Sequence, residues 1–230
     1  MAADLPSTAL VRAARSRGGA PLLTHYGSEG SRTELSLTSF ANWVDKTANL
    51  LDDFGVGAPD RVMLPVLTEH PGHWMALLWP FALWRVGAAA DLTGEPLPRA
   101  EVAVVGPSST QALAPHTLVC SLDPWARPMT GLPSGLLDFA AEALAQPDTF
   151  GGASGSAHDL AWVDPERSLT QADLAEISHL SNRLAATPAT PWQAIEWLVG
   201  AILGGGSLVL VDSGVADITR IVSTEKAHLA

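Results

Sequence analysis

The chain has 230 residues, of which 47% are hydrophobic and 16% are charged. This composition is typical of a folded globular protein, with one large domain or two small lobes that share a core, and it excludes an intrinsically disordered chain. The formal net charge is −11. A surface this negative repels nucleic acids and anionic lipids, so neither a nucleic acid nor a membrane is expected as a partner.

The single cysteine of the chain, Cys120, excludes an intrachain disulfide. This is typical of a reducing compartment, so a cytoplasmic location is predicted. Cys120 follows a strand-like run at 117–119, which favours a buried and unreactive thiol. The longest apolar helical stretch, 74–84, has 11 residues. Because a bilayer span needs about 20 residues, no membrane-spanning helix is predicted.

Two interpretations are open for the N-terminal residues 1–19. They contain three arginines and few acids, a composition that loosely suggests a transit peptide. An ordinary helix that Ser7 or Thr8 caps, and that ends before Gly18 and Gly19, explains the same residues at least as well.

Apolar periodicity and turn residues predict strands that alternate with helices along the chain. In the first half, the predicted elements are a helix that ends before residue 18, strands 21–26 and 34–37, a helix from 38 or 39 to 54, a strand 61–67, a helix 71–86, a short strand after 88–90, a strand 101–105, a short helix near 108–113 and a strand 117–121. In the second half, they are a helix that ends at 145, a strand 160–163, helices 170–184 and 192–203, a strand 207–211 and a helix from 217 to 230.

This alternation predicts an α/β fold, with a mostly parallel, doubly wound sheet or sheets flanked by helices. The helix predicted at 71–86 is apolar nearly all round, so it is expected inside the protein. The whole chain, 1–230, is interpreted as one domain. Two lobes, 1–148 and 158–230, joined by a flexible Gly/Ser loop at 149–157, are the second interpretation.

Three segments, in order, resemble the start of the superfamily of AMP-forming adenylating enzymes, which includes the acyl-CoA synthetases and the nonribosomal adenylation domains. They are ELSLTSF with ANLL (34–40 and 48–51), GVGAPDRV (55–62) and RVGAAAD (85–91), and a weaker fourth is LGGGSLVLVD (203–212). The chain also resembles a group of short actinobacterial proteins that are distantly related to AMP-binding enzymes. The resemblance implies the fold of the N-terminal subdomains of acyl-CoA synthetases.

Members of this superfamily hold the ATP phosphates with a TSGTTGxPKG loop between a short strand and a helix. The matching position here, between 160–163 and 169–174, is occupied by Asp164, Pro165, Glu166, Arg167 and Ser168. It contains no glycine or lysine, and it has two carboxylates where phosphates would lie. Each repulsion at about 4 Å would cost about 4 kcal/mol. The resemblance therefore implies no ATP or AMP cofactor and no catalytic residues.

Three other features of the sequence are candidate sites. The Gly/Ser run 151–156 has no Lys or Arg and precedes a strand, so a surface connection is favoured over a phosphate cradle. His70 and His73 beside Glu69 have no third ligand nearby in sequence, so helix capping is favoured over a metal site, and no metal is predicted.

Trp192 and Trp197 are candidates for an apolar pocket, such as an acyl site, although bulky core filling is the commoner role of tryptophan. Trp192 follows 187–191, where the resemblance places a loop that touches the acyl substrate.

Two functions follow from the resemblance. The favoured one is a non-catalytic homologue of the N-terminal region of acyl-CoA synthetases and ligases, which acts as a binding or assembly module, with a homodimer or another protein as partner. The alternative is a residual or split AMP-dependent synthetase or ligase that binds an acyl substrate or nucleotide. In that case ATP or AMP would be its cofactor, and a second chain would supply the family's remaining motifs, which lie beyond residue 230.

Overall fold

The computed structural model describes residues 4–215 and 217–230, so residues 1–3 of the N-terminal segment lie outside the described residues. The helices are α1 (Pro6–Arg17), α2 (Leu37–Asp53), α3 (Pro65–Glu69), α4 (Trp74–Val86), α5 (Phe139–Leu144), α6 (Gln171–Ala175), α7 (Pro191–Gly204) and α8 (Ile218–Glu225). The strands are β1 (Pro21–Tyr26), β2 (Arg32–Ser36), β3 (Arg61–Met63), β4 (Ala89–Asp91), β5 (Val102–Val105), β6 (His116–Val119), β7 (Leu136–Asp138), β8 (Leu160–Val163), β9 (Ser168–Thr170), β10 (Arg183–Ala186), β11 (Ser207–Val211) and β12 (His228–Leu229).

The strands form two mostly parallel sheets, which confirms the predicted α/β class. The five-stranded sheet has the order β12-β10-β11-β1-β2, and the seven-stranded sheet has the order β7-β6-β5-β3-β4-β8-β9. Only the hairpins β1–β2 and β8–β9 are antiparallel among the described pairs. Both sheets contain strands from before and after residues 149–157. The ranges 1–148 and 158–230 therefore share both sheets.

Helix α4 lies in the interior, as its apolar sequence predicts. All of its residues except Arg85 are buried. Two of its three tryptophans have a hydrogen-bond acceptor in the interior: Nε1 of Trp84 donates to the carbonyl of Ala161 at 2.8 Å, and Nε1 of Trp79 donates to Sγ of Cys120 at 3.3 Å. Nε1 of Trp74 is buried without an acceptor among the described residues. Burial raises the pKa of Cys120 to about 12, in agreement with the predicted unreactive thiol.

Several predicted boundaries in the first half are wrong. The strand 61–67 ends at Met63, because Pro65 starts α3, where a helix tolerates the missing N–H. The helix 71–86 starts only at Trp74, and His73 caps it by accepting a hydrogen bond from the amide of Met75. This confirms a capping role for His73. Ser36, and not residue 38 or 39, caps α2, and residues 108–113 form turns and bends instead of a helix.

In the second half, two predicted helices are shorter than expected. The helix 170–184 ends at Ala175, and residues 183–186 form β10, because Leu184 and Ala186 are buried in one core cluster and Ala185 in another. The helix 217–230 ends at Glu225, and β12 follows. Strands β7 and β9 were not predicted at all.

The Gly/Ser segment 149–157 packs against the end of α4. The amide of Gly155 donates to the carbonyl of Arg85 at 3.1 Å, and the Arg85 guanidinium donates to Ser154 at 3.2 Å and lies 5.3 Å from the Phe150 ring centroid. A Cβ atom at Gly155 would lie 2.5 Å from the Trp84 carbonyl oxygen. Phe150 and Gly155 therefore anchor the segment to the end of α4, while residues 151–154 between them are exposed to solvent. Among the described residues, no helix combines the length and apolar character that crossing a membrane requires.

The substitution Gly155→Ala is expected to lower the free energy of unfolding by about 1–3 kcal/mol, because the added methyl group has to displace backbone atoms. Gly151→Ala is the matched control, since a Cβ atom there meets nothing within 4 Å. This control is expected to change stability by less than about 0.5 kcal/mol. Urea denaturation of both variants measures the difference, and equal effects would contradict the packing described for this segment.

Candidate functional site

Residues 164–167 form a tight turn between β8 and β9, at the position where the sequence predicts a replaced phosphate loop. The amide of Asp164 donates to the carbonyl of Arg167 at 3.0 Å, which closes the turn. Ser168 then begins β9, and the Thr170 hydroxyl caps α6 by accepting from the amide of Asp173. The order of strand, connection and helix is as predicted. The second strand of the hairpin is the part that sequence reasoning missed.

The carboxylate of Asp164 accepts four hydrogen bonds within this hairpin. One oxygen accepts the amides of Glu166 and Arg167, both at 2.8 Å, and the other accepts Nε1 of Trp162 and the Arg167 guanidinium, both at 2.7 Å. Burial opposes ionisation of Asp164, but these hydrogen bonds outweigh it and lower its pKa below the usual value of 3.8. The two backbone N–H groups therefore point at a carboxylate of the chain itself.

Arg167 is held between two acids and an aromatic ring. Its guanidinium donates to Asp164 at 2.7 Å and to Glu166 at 2.8 Å, and it lies 5.1 Å from the centroid of the Trp192 ring. Such stacking over an indole face is favourable for a guanidinium. With both carboxylates paired to one cation, the turn keeps a net charge of about −1.

A cavity of about 310 Å³ lies beside this turn; we name it the turn cavity. Trp192 and Trp162 form one wall, with ring centroids 5.4 Å apart. The structure thus brings Trp192 together with the 164–167 turn. Trp197 packs, half buried, against the main core, and Ser168 is exposed on β9.

A second cavity, of about 360 Å³, lies under residues 92–98; we name it the strap cavity. The connection from β4 to the parallel strand β5 is ten residues long and contains no helix. Connections between parallel strands usually contain a helix that packs on the sheet. Here a segment without a helix, which we call the strap, takes that place and leaves a cavity between itself and the sheet. The Asp91 carboxylate accepts hydrogen bonds from the Arg61 guanidinium and from the amide and the hydroxyl of Thr93. The apolar lining residues are Met63, Leu64, Pro65, Leu92, Pro96, Leu97, Pro98 and Leu113.

The two cavities share Thr68 and Leu92, so they meet along α3. Together they form a mainly apolar groove, which we name the α3 groove. Sequence reasoning missed the strap cavity, although the prolines at 96 and 98 indicated a connection without a helix. Within the described residues, no group of three or more His, Cys, Asp or Glu side chains is arranged to hold a metal ion.

Comparison with known proteins identifies one similar sequence and several similar folds. A TIGR03089 family protein of Mycobacterium tuberculosis is 31% identical over 224 residues, which cover 90% of this chain and 89% of that protein. No family model matches the sequence.

Among solved structures, an acyl-CoA synthetase of Brucella canis has a TM-score of 0.75 at 17% identity and covers 96% of this chain. A coronafacic acid ligase of Pectobacterium brasiliense has a TM-score of 0.70 at 12% identity and covers 97%. At these identities the likeness establishes the fold alone. The chain spans 46% and 48% of the lengths of these two proteins, less than half of each.

The substitution Asp164→Ala is expected to lower the free energy of unfolding at pH 7 by about 1–2 kcal/mol, because it leaves the partly buried donors of Trp162 and Arg167 without this acceptor. Glu166→Gln is the matched control in the same turn. The Glu166 side chain is 78% exposed and bonds only to Arg167 among the described contacts. Its substitution is expected to cost less than about 0.5 kcal/mol.

The effect of Asp164 should also depend on pH. Folding lowers the pKa of Asp164 below 3.8. The ionised Asp164 carboxylate therefore stabilises the fold fully above pH 3.8, and this stabilisation is lost as the pH falls through the pKa of the folded state. The difference in the free energy of unfolding between wild type and Asp164→Ala should therefore become smaller below about pH 4. Urea denaturation between pH 7 and pH 3 measures this, and a difference that widens on acidification would contradict the described hydrogen bonds.

Proposed function

The chain belongs to the TIGR03089 family, and from this premise we propose that it is a non-catalytic homologue of the N-terminal region of acyl-CoA synthetases and ligases. In this proposal it acts as a binding module, and the α3 groove takes an uncharged, mainly apolar small molecule. The observation that carries the proposal is the closed turn at 164–167, in which Asp164 occupies the amides that a phosphate would need.

Electrostatics supports the proposal that nucleotides do not bind at this turn. A phosphate site needs free N–H groups and an available cation. Here the Arg167 guanidinium is already paired with two carboxylates, and the exposed Glu166 carboxylate faces solvent beside the turn cavity. A phosphate at about 4 Å from that carboxylate would meet a repulsion of about 4 kcal/mol. The chain's net charge of −11 adds to this repulsion.

The shape and lining of the α3 groove support an apolar ligand. Ligand pockets are typically concave, apolar and about 300–1,000 Å³ in volume. The strap and turn cavities measure about 360 and 310 Å³, and they meet at Leu92. The Asp91 carboxylate is already paired with Arg61, so it does not require a charged ligand.

An assembly role, as a homodimer or with another protein, is the other part of the proposal. Large apolar side chains that reach solvent are the residues such an interface would use. Among the described residues these are Leu113, Trp125, Leu144 and Leu229. Light scattering coupled to size exclusion measures whether a dimer forms, and a monomer at all accessible concentrations would contradict a homodimer.

Calorimetry with Mg²⁺-ATP, AMP and an acyl-adenylate analogue tests the central part of the proposal. No binding is expected at ligand concentrations up to about 1 mM, which corresponds to less than about 4 kcal/mol of binding free energy. Micromolar binding of any of the three would contradict the proposal and would favour the residual or split ligase.

Fluorescence of the neutral apolar dye N-phenyl-1-naphthylamine tests the α3 groove. Leu92→Gln is expected to weaken dye binding by about fivefold, because it removes apolar contact area from both cavities. Leu229→Gln is the control, since Leu229 lies on β12 with 60% of its surface exposed and does not line the groove. Identical dye affinities for wild type and Leu92→Gln would contradict the proposed ligand site.

A further inference from the structure

A third cavity, of about 200 Å³, lies at the carboxyl ends of the parallel strands of the five-stranded sheet. Its lining includes residues 187–188 after β10, residues 212–214 after β11 and Ser28 after β1. From the other side, Glu69 at the end of α3 and residues 70–72 between α3 and α4 close it. We name it the switch-point cavity, for the reason that follows.

The neighbouring strands β10 and β11 send their following helices to opposite faces of the sheet. Helix α7, which follows β10, packs in the core cluster that contains Leu208 and Leu210. Helix α8, which follows β11, packs through Ile221 against Val209 and Val211 on the other face. The chain connections therefore diverge between these two strands. In α/β proteins, ligands bind at such a divergence, outside the carboxyl ends of the strands.

Asp212 is held in place at this cavity by a buried histidine. Nε2 of His25 lies 2.9 Å from one Asp212 oxygen, and the amide of Ser28 donates to the other at 3.3 Å. The His25 side chain is only 4% exposed, whereas that of Asp212 is 36% exposed. Burial opposes ionisation of Asp212, but the hydrogen bond from His25 and the other favourable contacts outweigh it, so its pKa is lowered. Asp212 is thus an oriented, ionised acceptor at the cavity wall.

The cavity contains a second carboxylate and no fixed cation. Glu69 lines it from α3, with its nearest described basic group, Nε2 of His70, at the long distance of 4.0 Å. Among its described lining residues there is no Lys or Arg. His73 lies behind His25, with ring centroids 4.6 Å apart, and burial lowers its pKa to about 3, so it stays neutral. The hydroxyls of Ser28, Thr187 and Ser213 complete a polar lining.

From this geometry we infer that the switch-point cavity binds a small organic cation, a primary amine that also carries a hydroxyl group. The ammonium group donates to Asp212 and Glu69, and the hydroxyl group bonds to the serine and threonine hydroxyls. An anion such as a phosphate or a carboxylic acid would instead meet two like charges. Asp212 belongs to neither cavity of the α3 groove, whereas Glu69 lines both the strap cavity and the switch-point cavity, so Asp212 is the carboxylate that distinguishes the two sites.

A matched set of three probes tests the inference on the full chain: 4-amino-1-butanol, 1,4-butanediol and 4-hydroxybutyrate. They share a chain and a hydroxyl group and differ in charge. In ¹H–¹⁵N NMR titrations, the amino alcohol is expected to shift the amides of Ser28, Gly72 and Gly214 in a saturable way. The diol and the hydroxy acid are expected to bind at least about tenfold more weakly, as the loss of one charge-assisted interaction predicts.

Two variants and one control test whether the amino alcohol binds at Asp212 and Glu69. Asp212→Asn and Glu69→Gln are each expected to weaken binding of the amino alcohol by about tenfold. Glu95→Gln, in the strap cavity, is the control and should bind as wild type does. If Asp212→Asn does not fold, Glu69→Gln alone tests the inference. The Glu69 side chain is 53% exposed, so its substitution is expected to leave the fold intact. Equal midpoints for the amine and the diol, no shift at the three amides, or wild-type affinity in Glu69→Gln would each overturn the inference.

Discussion

The burial of α4 is the constraint on which the candidate site depends. This helix is apolar nearly all round, so it has to lie where protein covers every face. Its Trp84 indole donates to the carbonyl of Ala161 and thereby attaches β8 to the core. The next residue on β8, Trp162, donates its own indole N–H to Asp164. The position of the 164–167 turn is therefore fixed from the interior of the protein outward.

The polar groups of the 164–167 turn bond to one another within the hairpin. Asp164 accepts hydrogen bonds from four donors of the same hairpin. A ligand that displaced this carboxylate would first have to break those hydrogen bonds, which costs free energy. Beside the turn, a strap that lacks a helix opens an apolar groove. This combination of a closed polar turn and an open apolar groove is why a binding role is proposed in place of adenylation.

The sequence predicts well what depends on local patterns. Strands β1, β8 and β11 have the predicted bounds, because each is a short apolar run between turn residues. Strands β9 and β12 have only three and two residues, and their pairing partners lie elsewhere in the fold, so no local pattern marks them. That residues 164–168 contain two acids and neither glycine nor lysine can be read from the sequence alone. The cavities and the contact of His25 with Asp212, 187 residues apart, depend on tertiary packing and could not be predicted.

Paramagnetic NMR with Mn²⁺-ATP tests the central claim most directly, because a bound manganese ion broadens only the amide signals near it. The account predicts that the signals of Glu166 and Arg167 keep their linewidths when Mn²⁺-ATP is added, since their N–H groups are held by Asp164. Selective, saturable broadening of these two signals, reversed by excess Mg²⁺-ATP, would contradict it. That result would mean that the turn opens to accept a triphosphate.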